Sequence, residues 1–314
     1  MARNTLVSVV IPTHNRAKEI PETVESVLTQ TAQNVEVVVV DDASTDDTPA
    51  IMEQLVADNA RVRFARNASS LGPGGARNRG VQLAEGDLLA FCDDDDRLLP
   101  GALATMVEFL DQHAECGAVS AWHEVFRAAS NRAVVYRGPL SYRAEDLLWS
   151  NVVAIPFLMV RRSAFAEDPR YDADPQLAGA EDWDLCIRCA NERPMRTVPS
   201  VLYQFRQHGG QRVTKGISGH QRSRRALLAK HQTDMTSACR LYHEAILLLQ
   251  DGQRSAVLRR LVSEFADNAR DSSFVATMIL ASTAASRVGI RFRDPGLSSR
   301  VLCEILSRRP ETSS

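Results

Sequence analysis

Four consecutive aspartates, Asp93 to Asp96, directly follow the apolar segment LLAFC at residues 88–92. Adjacent carboxylates repel one another, and each loses hydration energy when it lies beside a packed strand. A divalent cation would offset this repulsion, because Mg²⁺ and Mn²⁺ prefer hard oxygen ligands such as carboxylates. A solvated acidic loop is the alternative for such a run. The choice depends on which other groups the fold brings to the loop.

Two more polar clusters follow apolar runs earlier in the chain. PTHNR begins at Pro12, the last residue of the run LVSVVIP (6–12), and DDAST begins at Asp41, after VEVVVV (35–40). Short runs rich in valine and isoleucine are typical of strands that are buried on both faces. Polar side chains therefore follow three predicted strands.

Helical patterns separate these strands. Helices are predicted at 20–31 and after the start signal at Ser44, a further strand at 62–66, and a glycine-rich turn leading into a helix at 72–80. Alternating strands and helices are typical of an α/β fold with a parallel sheet covered on both faces. Ligands of such sheets bind beyond the carboxyl ends of the strands, so the polar clusters are expected to meet at one edge.

The later chain is expected to complete the sheet and to form the acceptor side of a cleft. Strands are predicted at 117–122, 133–138, 154–162 and 195–206, and helices at 101–113 and 181–191. From about residue 218 the pattern is helical throughout. The predicted domain, 1–217, has a nucleotide-binding half at about 1–100 and an acceptor half at about 101–217, and a helical region follows at 218–314.

Composition limits the compartment and the partners. With 37 basic and 39 acidic residues the net charge is only −2, so no overall field attracts nucleic acid. Six scattered cysteines indicate reduced thiols, and the N-terminal segment lacks a signal-peptide pattern. The apolar stretch at 272–290 contains Arg287 and several hydroxyl residues, too polar for a membrane span. We expect a cytoplasmic protein. Peripheral contact with the inner face of the membrane and assembly into a homo-oligomer are both left open.

Four segments, in this order, resemble the successive motifs of family 2 glycosyltransferases, which have the GT-A fold. The segments are VSVVIPTHNR, VEVVVVDDASTDDT, GPGGARNRGVQLAEGDLLAFCDDDDRLLP and EDWDL. The resemblance covers roughly residues 5–210 and implies transfer of a sugar from a nucleoside diphosphate to an acceptor hydroxyl, with inversion at the anomeric carbon. The QxxRW segment of processive synthases is absent from the sequence, which favours single or limited transfers.

The Asp-x-Asp motif of the family falls within the aspartate run. The resemblance implies that Asp95 binds Mg²⁺ or Mn²⁺, and that Asp93 and Asp94 lie at the metal or the donor ribose. Such a cation stabilises the diphosphate leaving group as a Lewis acid. A looser resemblance in a later loop implies that Arg206 and His208 contact the diphosphate or the metal.

The ends of the first two strands are implied to bind the nucleoside. The residues concerned are Pro12, Thr13, His14, Asn15, Asp41 and Asp42. A carboxylate at Asp42, or at Asp41, would accept a hydrogen bond from the N–H of uracil or guanine, so a UDP-sugar is favoured while GDP- and dTDP-sugars stay open. His14 stands where an aromatic ring often stacks on the base. Simple strand-end capping is the alternative for His14 and Asn15.

The glycine-rich segment 72–80 resembles a phosphate loop, because glycines ahead of a helix expose backbone N–H groups to an anion. Gly74 is therefore expected near the donor, and Arg77 is expected to reach the base or a phosphate. Asn78 is the alternative here, as a residue that braces the loop.

The EDWDL motif supplies the chemistry on the acceptor. The resemblance implies Asp182 as the general base that takes the proton of the acceptor hydroxyl, with Glu181 beside it as the other choice. Acidic residues at a helix start are also favoured by the helix dipole alone. The resemblance leaves a glycan, a lipid-linked molecule and a small molecule open as the acceptor. A nucleotidyltransferase, which would release pyrophosphate, and a non-catalytic nucleotide-sugar-binding protein are the alternative functions.

Overall fold

The structure is a computed structural model that describes residues 5–31, 34–127, 132–149, 157–164, 170–207 and 216–250. His208 and the helical segments predicted beyond residue 250 lie outside the described residues.

The first half of the fold alternates strands and helices, as predicted. In chain order its elements are β1 (Val7–Thr13), α1 (Ile20–Leu28), β2 (Val35–Asp41), α2 (Thr48–Asp58), β3 (Val62–Arg66), α3 (Gly72–Leu83) and β4 (Leu88–Phe91). The four strands are parallel in the order β3-β2-β1-β4. Every residue of β1, β2 and β4 is buried, which explains why their sequences are apolar rather than alternating.

The second half completes a mixed sheet. Its elements are β5 (Arg97–Leu98), α4 (Ala102–Gln112), β6 (Ala118–Arg127), β7 (Arg132–Tyr136), β8 (Ser141–Tyr142), α5 (Ala144–Trp149), β9 (Leu158–Arg161), α6 (Glu181–Glu192), β10 (Met195–Gln207) and α7 (Gly216–Lys230). The sheet order is β3-β2-β1-β4-β9-β6-β10-β5, with β7 paired to β6 and β8 paired to β10. Strand β9 is antiparallel to both of its neighbours, and it separates the four parallel strands of the first half from the parallel pair β6 and β10.

The chain divides into two compact units. One comprises Met1–Leu147 with Val153–Arg224, and the other comprises Leu148–Val152 with Arg225–Ser314. In the second unit, helix α8 (Ser237–Gln250) buries Leu241 and Leu247. None of the described helices is both long enough and apolar enough to span a bilayer.

The strand ends that carry the polar clusters meet at one edge of the sheet. Thr13 pairs with Asp41, the last residues of β1 and β2, and the chain after β4 continues along the same edge, with Cys92 N donating to Val10 O. Helix α3 packs closely on β1 because Gly80 has no side chain; a Cβ atom there would overlap Cγ1 of Val10.

Candidate active site

The buried side chain of Arg77 joins two distant acidic segments. Its Nη2 lies 2.6 Å from Oδ1 of Asp93, while its Nη1 lies 3.5 Å from Oε1 of Glu181 and 3.4 Å from Oδ1 of Asp182. Its guanidinium also lies over the ring of Tyr171, 5.0 Å from the centroid. Although burial lowers the pKa of Arg77, the surrounding carboxylates hold it well above its ordinary value. Arg77 thus connects the loop after β4 to the start of α6.

Asp182 lies at the first turn of α6, as the EDWDL motif predicted, and its side chain is 33 % exposed. Burial raises the pKa of Asp182 to about 7; Arg77 opposes the shift, and the negative charges of Glu181 and Asp93 add to it. Glu181 is more enclosed, because its side chain is only 7 % exposed and its Oε2 accepts a hydrogen bond from the Gly179 backbone N–H. The two acids therefore differ in access to a substrate.

Arg16, which the motifs did not single out, contacts two other aspartates of the loop. Its Nε lies 3.5 Å from Oδ1 of Asp94 and its Nη2 lies 3.6 Å from Oδ2 of Asp95. The backbone N–H of His14 also donates to Asp94 Oδ2 at 3.2 Å. Burial raises the pKa of Asp94 to about 7 and Asp95 adds to this effect, whereas Arg16 opposes it. The position of Arg16 directly after the first strand was the sequence signal.

The fourth aspartate holds the loop in place. Asp96 is fully buried and accepts hydrogen bonds from the Tyr203 hydroxyl and from Arg206 N. Its own carbonyl accepts a bond from Thr23 Oγ1 at 2.8 Å. Burial raises the pKa of Asp96 well above its ordinary value, with nearby aspartates contributing. Asp96 therefore fastens the loop after β4 to β10.

Arg206 braces the same loop from β10. Its Nε donates to the carbonyl of Asp95, and its Nη1 pairs with Glu22 on α1. Arg97 pairs with the same glutamate. The guanidinium of Arg206 already pairs with Glu22. The predicted contact with a diphosphate would require it to bind the substrate in addition to Glu22. Glu22, which sequence reasoning missed, carries no motif signal because an acid on an exposed helix face is common.

Asp42 is engaged by the loop that precedes and opens α3. Its carboxylate accepts hydrogen bonds from Asn67 Nδ2, Ser70 Oγ, Leu71 N and Gly72 N at 2.7, 2.6, 2.8 and 2.9 Å. Two carboxylate oxygens provide about four acceptor positions, so these donors use the capacity of Asp42. Two backbone N–H groups at this helix start, those of Leu71 and Gly72, therefore donate to the chain's own carboxylate rather than to a phosphate.

The glycine-rich segment is itself the first part of α3, rather than a turn before a helix. Pro73 fits the first turn, where a missing N–H is not felt, and Gly72 precedes it with a left-handed φ of 74°. Gly74 faces the segment at 171–172, where an added Cβ would lie 3.3 Å from the carbonyl of Asp172. Asn78 Nδ2 donates to Tyr171 O at 2.8 Å, which matches its predicted bracing role.

The end of β1 forms an exposed rim beside Asp42. Pro12 and Thr13 are buried, whereas His14 and Asn15 are exposed. The Nδ1 atom of His14 lies 2.8 Å from the carbonyl of Asp42.

Asn15 ties the loop after β1 to the loop after β2. It adopts a left-handed φ of 54°, and its Oδ1 accepts a hydrogen bond from Thr45 N at 2.8 Å. In the second loop, Asp41 Oδ1 accepts from Ser44 N at 3.0 Å, and its Oδ2 lies 3.1 Å from Arg66 Nε. Asn15 and Asp41 therefore have structural partners within the chain.

The aspartate loop has the donor chemistry of a site for a hard divalent cation. Carboxylates from Asp93, Asp94 and Asp95 lie in one loop, and burial raises the pKa of Asp93 as it does that of Asp94. Elevated carboxyl pKa values indicate negative charge that a cation would stabilise. Across the described ranges, no three His, Cys, Asp or Glu side chains are grouped closely enough to hold a metal ion. Asp93 pairs with Arg77, whereas Asp94 and Asp95 pair with Arg16.

Comparisons with known proteins give matches at the level of family and of fold. Residues 8–168, about half of the chain, match the family model described as glycosyl transferase family 2. Over 103 residues, 32 % of the chain, it is 37 % identical to the GalNAc(5)-diNAcBac-PP-undecaprenol beta-1,3-glucosyltransferase of Campylobacter jejuni, of which it covers 33 %. The chain thus spans about a third of the length of this relative and of several other curated glycosyltransferases.

Two solved structures share the fold. The S. aureus TarS 1–349 complex with UDP-GlcNAc aligns with a TM-score of 0.60 at 18 % identity, over 93 % of this chain and 95 % of that one. The mannosyltransferase PcManGT of Pyrobaculum calidifontis, in complex with GDP-Man and Mn²⁺, aligns with a TM-score of 0.57 at 21 % identity, over 97 % and 88 %. The predicted α/β architecture is confirmed by this likeness.

Proposed function

Because the chain belongs to glycosyl transferase family 2, we propose that it transfers one sugar from a nucleoside-diphosphate sugar to an acceptor hydroxyl, with inversion at the anomeric carbon. One observation carries this proposal: Arg77 holds the aspartate loop after β4 and Asp182 at the start of α6 within one charged cluster. A donor bound at the loop would then lie beside a base for the acceptor.

Asp182 is the general base in this proposal. Its carboxylate, part of a side chain that is 33 % exposed, takes the acceptor proton while the acceptor oxygen bonds to the anomeric carbon, and the bond from that carbon to the diphosphate breaks. A pKa of about 7 supports the role, since a base is most effective when its pKa lies near the working pH. Glu181, which is enclosed and bonded to Gly179 N and Arg77, acts as a positioning residue.

Asp95 and Asp93 are the proposed ligands of Mg²⁺ or Mn²⁺, with Asp94 beside them. When bound, the cation supplies Lewis-acid stabilisation of the departing diphosphate. The oxygen donors of the loop support this choice, as does the Mn²⁺ in the complex of PcManGT. Asp96 and Arg206 contribute by holding the backbone of the loop. His208 remains an additional proposed contact.

The proposed donor is a UDP-sugar, with GDP- and dTDP-sugars as the alternatives to test. His14 lies exposed at the rim, where its ring can stack on a base. Asp42 holds the loop at 67–72, which lies beside the proposed nucleoside site. A base that forms a hydrogen bond with the Asp42 carboxylate would have to displace one of the four hydrogen-bond donors already there, or share its acceptor position. For the acceptor, the printed activity of the C. jejuni relative favours a lipid-linked glycan.

Substitution of the two central carboxylates tests the proposal. Asp182→Asn and Asp95→Ala should each lower the rate of sugar transfer by at least about 100-fold, the effect expected of an essential acid or base group. The assay measures release of nucleoside diphosphate, with donors selected by thermal shift against UDP-, GDP- and dTDP-sugars with and without Mn²⁺. Glu192→Gln, at the exposed far end of α6, is the matched control. Wild-type rates in either variant, or release of pyrophosphate instead, would contradict the assignment.

A further inference from the structure

Arg16 pairs with two aspartates of the loop after β4, whereas Arg77 pairs with a third, Asp93. Its guanidinium bridges Asp94 and Asp95 at 3.5 and 3.6 Å, and the three side chains are only 20, 13 and 18 % exposed. Arg77 neutralises Asp93 from within the protein. Each carboxylate proposed to lie at the metal is therefore already close to a cation that belongs to the chain.

The backbone on either side of the Arg16 side chain is held by hydrogen bonds. Arg16 N donates to Thr48 Oγ1 at 2.9 Å, and Ala17 N donates to Asp46 Oδ2 at 3.2 Å. Asn15 adopts its left-handed conformation immediately before, with Asn15 N bonded to Ser44 Oγ at 2.8 Å. The loop after β2 thus holds the loop after β1, which carries the Arg16 side chain beside the aspartates.

We propose that Arg16 is an internal counter-ion that competes with the divalent cation for Asp94 and Asp95, and that it gives way when the cation binds together with a nucleoside diphosphate. This inference rests on the proposed function. Asp95 cannot hold the cation and keep its full interaction with Arg16, because the two positive charges repel each other at this distance.

The diphosphate is the group that would receive the displaced arginine. A guanidinium presents a planar fork of N–H donors that matches phosphate oxygens. In the absence of nucleotide, no phosphate replaces the ion pairs with Asp94 and Asp95 that Arg16 gives up, so the cation alone binds weakly. With nucleotide present, that penalty is removed. Binding of cation and nucleotide is then positively coupled, and the coupling is reciprocal.

Binding of Mn²⁺ to the full chain, followed by electron paramagnetic resonance at neutral pH with and without saturating UDP, tests the inference. Arg16→Gln should bind Mn²⁺ alone about 5- to 10-fold more tightly than wild type, as expected when two partly exposed ion pairs no longer compete. It should also gain less affinity on addition of UDP. Arg16→Lys, which keeps the charge, should stay close to wild type. Lys18→Gln, an exposed charge loss two positions along, should change neither value.

The outcomes separate this inference from the proposed function. Asp95→Ala should abolish Mn²⁺ binding with and without UDP; retained binding there would remove the proposed metal site itself. If Asp95→Ala loses the ion but Arg16→Gln binds Mn²⁺ alone no more tightly than wild type, the counter-ion role is wrong while the metal site stands. Absence of Mn²⁺ binding in every variant, with or without UDP, would overturn both. Thermal unfolding of each variant checks that a change in affinity is not a loss of fold.

Discussion

Replacement of Arg77 with glutamine removes the cation shared by Asp93, Glu181 and Asp182. The Arg77 side chain is only 6 % exposed, and all three carboxylates lie within 3.5 Å of it. Removal of one partner from a fully buried ion pair costs about 3–5 kcal/mol, but the Asp93 and Asp182 side chains are 35 and 33 % exposed, so water compensates part of the loss and about 2–4 kcal/mol is expected here. We expect Arg77→Gln to lower the free energy of unfolding by about this amount at about pH 8.

The cost should shrink in acid. Arg77 lowers the carboxyl pKa values of Asp93 and Asp182, so in its absence both values rise further above 3.8. The folded variant then takes up protons that the unfolded chain does not, and this uptake favours folding as the pH falls. We expect the loss of stability to decrease to about 1–2 kcal/mol at about pH 5, where protonation neutralises the unpaired carboxylates.

Urea denaturation at the two pH values measures the effect. Arg79→Gln is the matched control, since Arg79 lies on the same helix but donates to Arg66 O and Asn67 Oδ1 and does not bridge the acidic segments. It should lose about 1 kcal/mol, as for an ordinary hydrogen bond, with little dependence on pH. A destabilisation by Arg77→Gln that is equal at both pH values, or no larger than that of the control, would refute the charged-cluster reasoning. In transfer assays the acid limb of the variant should also move above about pH 7, because Asp182 must be ionised to act as a base.

Two further predictions concern stability. In the metal-free protein, urea denaturation should show that Asp94→Asn is more stable than wild type at about pH 8 and nearly equal to it at about pH 4. The reason is that the raised carboxyl pKa of Asp94 makes the wild-type protein lose stability as the pH rises from 3.8 towards about 7. A pKa shift of this size corresponds to at most about 4 kcal/mol, of which we expect about 1–3 kcal/mol to be measured. A variant that is less stable than wild type at about pH 8 would contradict this sign. Gly80→Ala should lose about 1–3 kcal/mol of stability, because its new methyl group would overlap Cγ1 of Val10. Gly74→Ala on the same helix should lose less, because its new methyl group would come no closer than 3.3 Å to another atom, the carbonyl oxygen of Asp172; equal losses would show that α3 does not need its close approach to β1.

The sequence by itself determined the elements and the edge of the sheet at which the polar residues meet. Buried parallel strands require nearly continuous apolar residues, and β1, β2 and β4 follow the predicted runs within one residue at each end. The meeting of the clusters after β1, β2 and β4 was also predictable, because parallel strands present their carboxyl ends at one edge. The start of α6 at Glu181 agreed with the motif as well.

The tertiary structure decided which of these groups bind one another. Arg77 contacts Glu181, 104 positions away in the chain. The carboxylate of Asp42 accepts hydrogen bonds from the loop that opens α3. From the sequence, Arg77 and Asp42 were both expected to bind the nucleotide-sugar donor. The glycine-rich start of α3 was expected to be a turn ahead of the helix. Spacing and residue type report local backbone preference and the side of a sheet, which are short-range properties. The pairing of charges depends on side chains that packing brings together from distant segments, and no local pattern records that proximity.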